Sequence, residues 1–189
     1  MSIGRCFNAL TRGVPVISAI VLQSLAAQVA PMKPVESIAS VDLARYAGRW
    51  YEVAKFPNRF QKACVRGTVA EYTVLPSGDL RVVNQCTQAD GTVKVAEGRA
   101  KLAHRGGKTS QLKVRFAPAI LSWLSAVWGD YWVLDLTDDY RAVLVGSPDR
   151  QYLWILSRTA ELDSATYDRM VASATAQGFD VARLVKSPP

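Results

Sequence analysis

The chain has 189 residues, with 23 Lys+Arg against 16 Asp+Glu, one His and three Cys; 49% of its residues are apolar and 21% charged. That length suits one domain with a short extra segment, and the balance of charge and apolar content excludes both disorder and a polytopic membrane protein. A single His (His104) and three Cys, with no C-x-x-C, H-E-x-x-H or paired-His spacing, leave a zinc-based mechanism almost without ligands, so no metal and no cofactor is expected.

Arg5 and Arg12 precede Val14 to Ala30, a stretch without a charged residue, followed by small residues and Pro31. A basic start, an apolar run and a small-residue cut site read as an export signal over residues 1–30, cleaved near Ala26 or Ala30. The competing reading is an uncleaved anchor, which Gln23 and Gln28 weaken. Cleavage lowers the net charge from +7 to +5, and residues 31–45 form an extension ahead of a domain over 46–187. Cys6 lies in the basic start and no Cys follows the apolar run closely, so the expectation is an exported protein, periplasmic or associated with the outer membrane, without a lipid-attachment Cys. Of the remaining charge, Lys94, Arg99, Lys101, Arg105, Lys108, Lys113 and Arg115 cluster in one hairpin-like region opposed only by Glu97. Without an aromatic before Phe116 this reads as a solvated sheet face; nucleic acid is not an expected partner, while weak attraction to anionic lipid stays open.

From Gly48 onward, runs of Val, Leu, Tyr, Trp and Thr alternate with turn residues. Eight strands are predicted, at about 49–56, 66–75, 79–87, 92–102, 110–116, 130–136, 141–147 and 151–158. The turns between them, such as Ser77-Gly78-Asp79 and Ser147-Pro148-Asp149-Arg150, are too short for crossovers, so neighbouring strands pair up and down. One helix follows, capped by Asp163, carrying Tyr167, Met170, Val171 and Ala174 on one face and stopped by Gly178; residues 179–185 read as a short extended segment. The fold class is therefore all-β: an eight-stranded up-and-down antiparallel barrel with one C-terminal flanking helix, wide enough for one small ligand.

Three motifs sit at the right places in that frame. Gly48-Arg49-Trp50 opens the first strand, Thr137-Asp138-Asp139-Tyr140 joins the sixth and seventh, and Arg158 ends the eighth. Together they resemble the G-x-W, T-D-x-Y and terminal-Arg signatures of the lipocalin family over residues 40–186, and Tyr152 to Thr159 with Gly178-Phe179-Asp180-Val181 resemble its bacterial and apolipoprotein D-like branch. The resemblance implies that Trp50 plugs the closed end, that Arg158 packs across it while its fork satisfies backbone carbonyls, and that Asp138 caps the turn with Tyr140 packing beside it.

If Trp50 and Arg158 meet below the cavity, period two points Glu52, Ala54 and Phe56 inward on the first strand, and Tyr152, Trp154 and Leu156 on the last. On the middle strands the chosen phase adds Tyr72, Val74, Val82, Asn84, Leu112, Val114, Phe116, Tyr131 and Val133. The alternative for each is plain barrel-core packing. Such a wall suits a long acyl chain, at about 0.8 kcal/mol per buried methylene, with Arg59 or Lys62 placed to hold a headgroup at the mouth. Pro118 to Trp128, eleven residues without a charge at the mouth, read as a lid, as a prong making transient membrane contact, or as a rim helix or dimer contact.

The leading function is an exported lipocalin that binds, carries or stores a small lipophilic ligand such as a fatty acid or lysophospholipid. The rival is a lipocalin-type enzyme with Cys64 as nucleophile, and a third reading is a purely structural barrel filled by its own side chains. Oligomeric state stays open, a dimer included. Cys64 and Cys86 form an even pair in a compartment that permits disulfides. With Leu75 facing Leu80, however, Cys86 lies opposite Val69, five residues short of Cys64, and a bridge requires the chain at Cys64 to curl back.

Overall fold

The computed structural model describes Met1, residues 32–104 and residues 106–189; the apolar segment with its cut sites, Cys6 and Arg105 lie outside the described residues. Eight antiparallel strands close into a barrel: β1 (Gly48–Lys55), β2 (Cys64–Val74), β3 (Leu80–Gln88), β4 (Val93–Leu102), β5 (Gln111–Arg115), β6 (Gly129–Leu136), β7 (Ala142–Gly146) and β8 (Leu153–Ser157). Each pairs with its successor, and β1 pairs with both β8 and β2. One turn of helix, α1 (Leu43–Tyr46), precedes β1; α2 (Ser164–Ala176) and a two-residue strand, β9 (Val185–Lys186), follow β8. Along its second edge β1 pairs with β2 at Gly48–Tyr51 and with β9 at Ala54–Lys55, so β9 fills the seam where β1 and β2 part.

Alternation along the strands produces two cores. Trp50, Tyr72, Leu80, Val82, Ala100, Leu112, Val133, Val143, Val145 and Leu156 pack together inside the barrel, joined by Val41 and Tyr46 from the segment before β1. Outside, Leu144, Leu153 and Ile155 meet Met170 and Ala174 of α2, with Val35 and Phe179. Asp163 starts α2, its carboxylate accepting from the Thr166 N–H, and the apolar side lies against β6 and β7.

Bulges break the alternation, and they decide where several side chains point. Glu52 opposes Leu156, yet Ala54 opposes Ile155, so the pairing slips at Val53. Ala54 and Phe56 therefore belong to the outer core against α2 and Phe179 and do not face the interior, contrary to the uninterrupted period. Lys55, opposite Trp154, turns inward instead. In β2 the pairing slips twice: Val69 opposes Gln85, Arg66 opposes Thr87 and Cys64 opposes Gln88. Gly67, with φ at +61°, supplies the left-handed residue in that stretch. The two slips, with Val74 and not Leu75 facing Leu80, draw Cys64 back to a Cα–Cα distance of 5.5 Å from Cys86, and the two are joined as a disulfide.

Trp50 is fully buried at the closed end, its indole N–H donating to the Tyr46 carbonyl at 2.8 Å. The Arg158 guanidinium lies 3.9 Å from the centre of that ring. Its N–H groups reach the carbonyls of Arg49 (2.9 Å), Arg45 (2.8 Å), Tyr46 (3.1 Å) and Tyr140 (3.2 Å). Gly48 has φ of +94°, and a Cβ there would stand 3.3 Å from Arg158, so both backbone shape and space favour glycine. In the turn between β6 and β7 the cap is not Asp138. Thr137 Oγ1 and the Asp139 carboxylate accept from the Arg141 N–H, whereas Asp138 contributes its backbone carbonyl to Arg45. Arg45 in turn stacks over Tyr140 at 3.9 Å, and Tyr140, at φ 60°, accepts from the Asp42 N–H.

The fork of Arg158, more than its charge, holds this floor. Arg158→Lys keeps the cation and strands several carbonyls. It should lower stability by about 3 kcal/mol, read as a lower urea midpoint at unchanged m-value.

Candidate functional site

On several strands the inward-facing residues are less buried toward the end opposite the floor. On β4, Ala100 is buried while Gly98 and Ala96, nearer the rim, are touched by solvent; on β8, Leu156 is buried and Trp154 half-buried. Across β5 and β6, Leu112 and Val133 are buried, whereas Val114 and Tyr131 are not. Packing of the inward-facing residues is therefore looser toward the end opposite Trp50 than at the floor. Ala70 on β2 and Ala96 and Ala100 on β4 set back that part of the wall, since none carries a side chain beyond Cβ.

Tyr72, Val82, Leu112, Val133 and Leu156 form the lower wall. Asn84, Val114 and Tyr131 stand above them. The Phe116 ring lies across Gly98, where a Cβ would come within 2.7 Å of it. Tyr152 and Trp154 stack with ring centres 5.8 Å apart and planes 5° from parallel, and Phe60 of the first loop stands 5.8 Å from Tyr152. Val74 lines nothing: it sits at the closed-end hairpin and is 41% exposed.

Several partners of the predicted wall residues carry no sequence signal. Glu52, 6% exposed, faces inward and accepts from Ser187 Oγ (2.6 Å), Gln61 Nε2 and Lys55 Nζ (2.7 Å). Gln61 in turn accepts from the Trp154 indole at 3.1 Å. One carboxylate thus ties the first loop, β1 and the chain after β9, and the ion pair is compensated within the barrel wall. Lys55 is an inward cation only because of the Val53 bulge. Lower down, Tyr46 from α1 meets Tyr131 (2.6 Å), which meets Tyr72 (3.0 Å), through their hydroxyls. Burial pushes the Tyr72 hydroxyl up to about 12, and those of Tyr46 and Tyr131 well above the phenol range, so all three stay protonated.

At the rim, Pro118 to Trp128 forms two 3-10 turns, Ala119–Leu121 and Ser125–Val127. Ile120 (81%) and Trp123 (78%) project from it into solvent. The basic face of β4 and β5 has more opposition than Glu97: Arg81 pairs with Glu97, Arg99 with Asp79 and Lys113 with Asp130, each at 2.7 Å. Lys101 lies over Trp128 at 4.2 Å. Cys64 is bonded to Cys86, so the thiol required by the enzymatic reading is consumed, and His104 lies in the β4–β5 loop at the closed end.

A family model described as a lipocalin-like domain matches residues 41–189. Among curated relatives, temperature-induced lipocalin-1 of Arabidopsis thaliana is 41% identical over 156 residues, covering 82% of this chain and 83% of that one. The outer membrane lipoprotein Blc of Escherichia coli is 37% identical over 157 residues, with 82% and 83% covered. Apolipoprotein D of Rattus norvegicus is 30% identical over 162 residues, with 82% and 79% covered. Among solved structures, insecticyanin of the tobacco hornworm Manduca sexta superposes with a TM-score of 0.66 at 21% identity, covering 84% of this chain and 86% of that one, a likeness of fold.

The buried tyrosines set an alkaline limit. An unfolded phenol titrates near about 10, so their contribution to stability is full below that pH and is lost as pH rises through about 12, where folded Tyr72 titrates. The urea midpoint should fall across that window, and Tyr131→Phe should flatten the fall.

Proposed function

Because this chain belongs to the lipocalin family, we propose that its cup binds and carries an amphipathic lipid with a long acyl chain, a fatty acid or lysophospholipid, within the cell envelope. The observation that carries this reading is the asymmetry of the barrel. One end is sealed by Trp50 beneath Arg158, while Ala96, Val114, Tyr131 and Trp154, inward by strand phase, are only partly buried toward the other. Apolar wall in such a cup gains about 0.8 kcal/mol per methylene it covers, and a dozen methylenes supply micromolar binding after association costs. Arg59, Lys62 and Lys94 are exposed on the first loop and at the start of β4, where they would hold an anionic headgroup. The envelope assignment is supported by the name of Blc, which places that relative in the outer membrane, and by the apolar start of this chain.

The same geometry supports transient contact with a bilayer through the rim. Ile120 and Trp123 form an apolar apex, and the exposed cations Arg59, Lys62 and Lys94 suit an anionic lipid surface.

Displacement of a fluorescent fatty acid tests the cup. The wild-type protein should bind octadecanoate or a lysophospholipid at micromolar concentration or tighter. Ala96→Trp, which fills the upper cup away from the floor, should weaken binding at least tenfold with the melting temperature held. If the wild-type protein takes up neither ligand, the carrier reading is wrong.

Flotation with vesicles tests the rim. Trp123→Ser with Ile120→Ser should abolish binding to vesicles containing phosphatidylglycerol and leave fatty-acid affinity unchanged; equal flotation of both proteins refutes membrane contact through this loop.

A further inference from the structure

The interior carries hydrogen-bonding capacity that the protein does not use. Asn84 faces inward from β3, opposite Ala70 and Ala96, and its Oδ1 is buried with no hydrogen-bond partner among the described residues. Arg115 Nε and Trp132 Nε1 share that condition, but Arg115 pairs with Arg99 on the outer face and Trp132 packs with the outer core. Exchanging the amide oxygen and nitrogen of Asn84 would only replace an unmet acceptor with an unmet donor.

Proton counting finds the complement. Tyr46, Tyr131 and Tyr72 present three hydroxyl protons, and the chain of contacts between them uses two. One proton is left over, and it can sit on any of the three oxygens by rotation of the hydroxyls. Asn84 opposes Ala70 and Tyr72 opposes Val82, two rungs apart on the same inward face, so the amide and the Tyr72 side chain start from diagonal positions on adjacent strands. Asn84 also lies four residues below Gln88, the rim end of β3, at about 13 Å depth from about 3.3 Å per residue.

We propose that the lower cup is a selectivity subsite for a hydroxyl group carried well down the acyl chain, so that the ligand class is a hydroxylated long-chain lipid. This rests on the carrier reading above. A hydroxyl donates to the Asn84 oxygen and accepts the spare tyrosine proton, meeting both unmet groups with one atom pair. A plain hydrocarbon meets neither, and a site built with buried polar groups discriminates against the ligand that leaves them unpaired. A carboxylate does not fit there, because it cannot donate to Asn84 and the nearest floor cation, Arg158, lies on the far side of Trp50 with its fork taken by carbonyls. The charged head stays with the rim cations and the chain runs downward.

Three ligands decide it: octadecanoate, 12-hydroxyoctadecanoate and 2-hydroxyoctadecanoate, compared by displacement of one fluorescent acid. The 12-hydroxy acid should bind at least tenfold more tightly than octadecanoate, and the 2-hydroxy acid, whose hydroxyl stays at the rim, should show no gain. Asn84→Leu should bring the ratio of the 12-hydroxy acid's affinity to that of octadecanoate back to about one, and Tyr131→Phe should reduce it. Equal affinity of wild-type protein for all three overturns the subsite and leaves the carrier reading standing. A gain that survives Asn84→Leu also overturns it, and binding of none of the three refutes both. Should either variant fail to fold, the wild-type ratio decides.

Discussion

A guanidinium held over an indole organises this molecule. Arg158, at the end of β8, covers Trp50 at 3.9 Å and donates to carbonyls of α1, the start of β1 and the β6–β7 turn. Those carbonyls would otherwise be orphaned where the strands end, and a single planar fork with several fixed donors can serve them together. The interaction thereby joins the first and last strands and seals one end of the barrel. It also requires α1 to lie across the floor, which is what delivers Tyr46 into the interior. The hydroxyl cluster at the bottom of the cup is thus a consequence of how the end is closed.

The second organising feature is the slip at Val53, which gives one strand two tasks. Before it, β1 presents Trp50 and Glu52 to the interior; after it, Ala54 packs beneath α2 and Lys55 turns inward beside Trp154. The change lets β1 part from β2, and β9 closes the resulting seam. Glu52 then becomes the meeting point of the first loop, Lys55 and Ser187. A neutral hydroxyl cluster at the floor, a compensated ion pair at the neck and exposed cations at the rim thus follow one another along the barrel. Cys64, the thiol a nucleophilic reading would use, is bonded to Cys86, and the single His lies at the other end.

Local signals carried most of the architecture. Alternating apolar residues and turn-forming dipeptides depend on neighbours in the chain, so eight strands, their order and the capped helix were legible to within a few residues. Trp50, Arg158 and Tyr140 were legible because their roles lie at strand ends, where a motif has a fixed address. Most of the wall, from Tyr72 and Val82 to Leu112, Val133 and Leu156, follows from period two in stretches of strand where the pairing runs unbroken.

Bulges are where that reading stopped. A one-residue slip leaves no mark in composition, yet it reverses every side chain beyond it, because the two faces of a strand differ by a single position. Ala54 and Phe56 went to the helix side, Lys55 came in, and Cys64 reached Cys86 through slips that depend on which partner residues meet across the pair. Tyr46, Gln61 and Ser187 are ordinary residues of connecting segments, and only the closed barrel brings them to its interior. The amino-acid order therefore specifies a barrel with a plugged base, by rules that act over a few residues. Which polar groups face one another inside is settled by strand register and chain return across more than a hundred residues, and no local rule reaches that far.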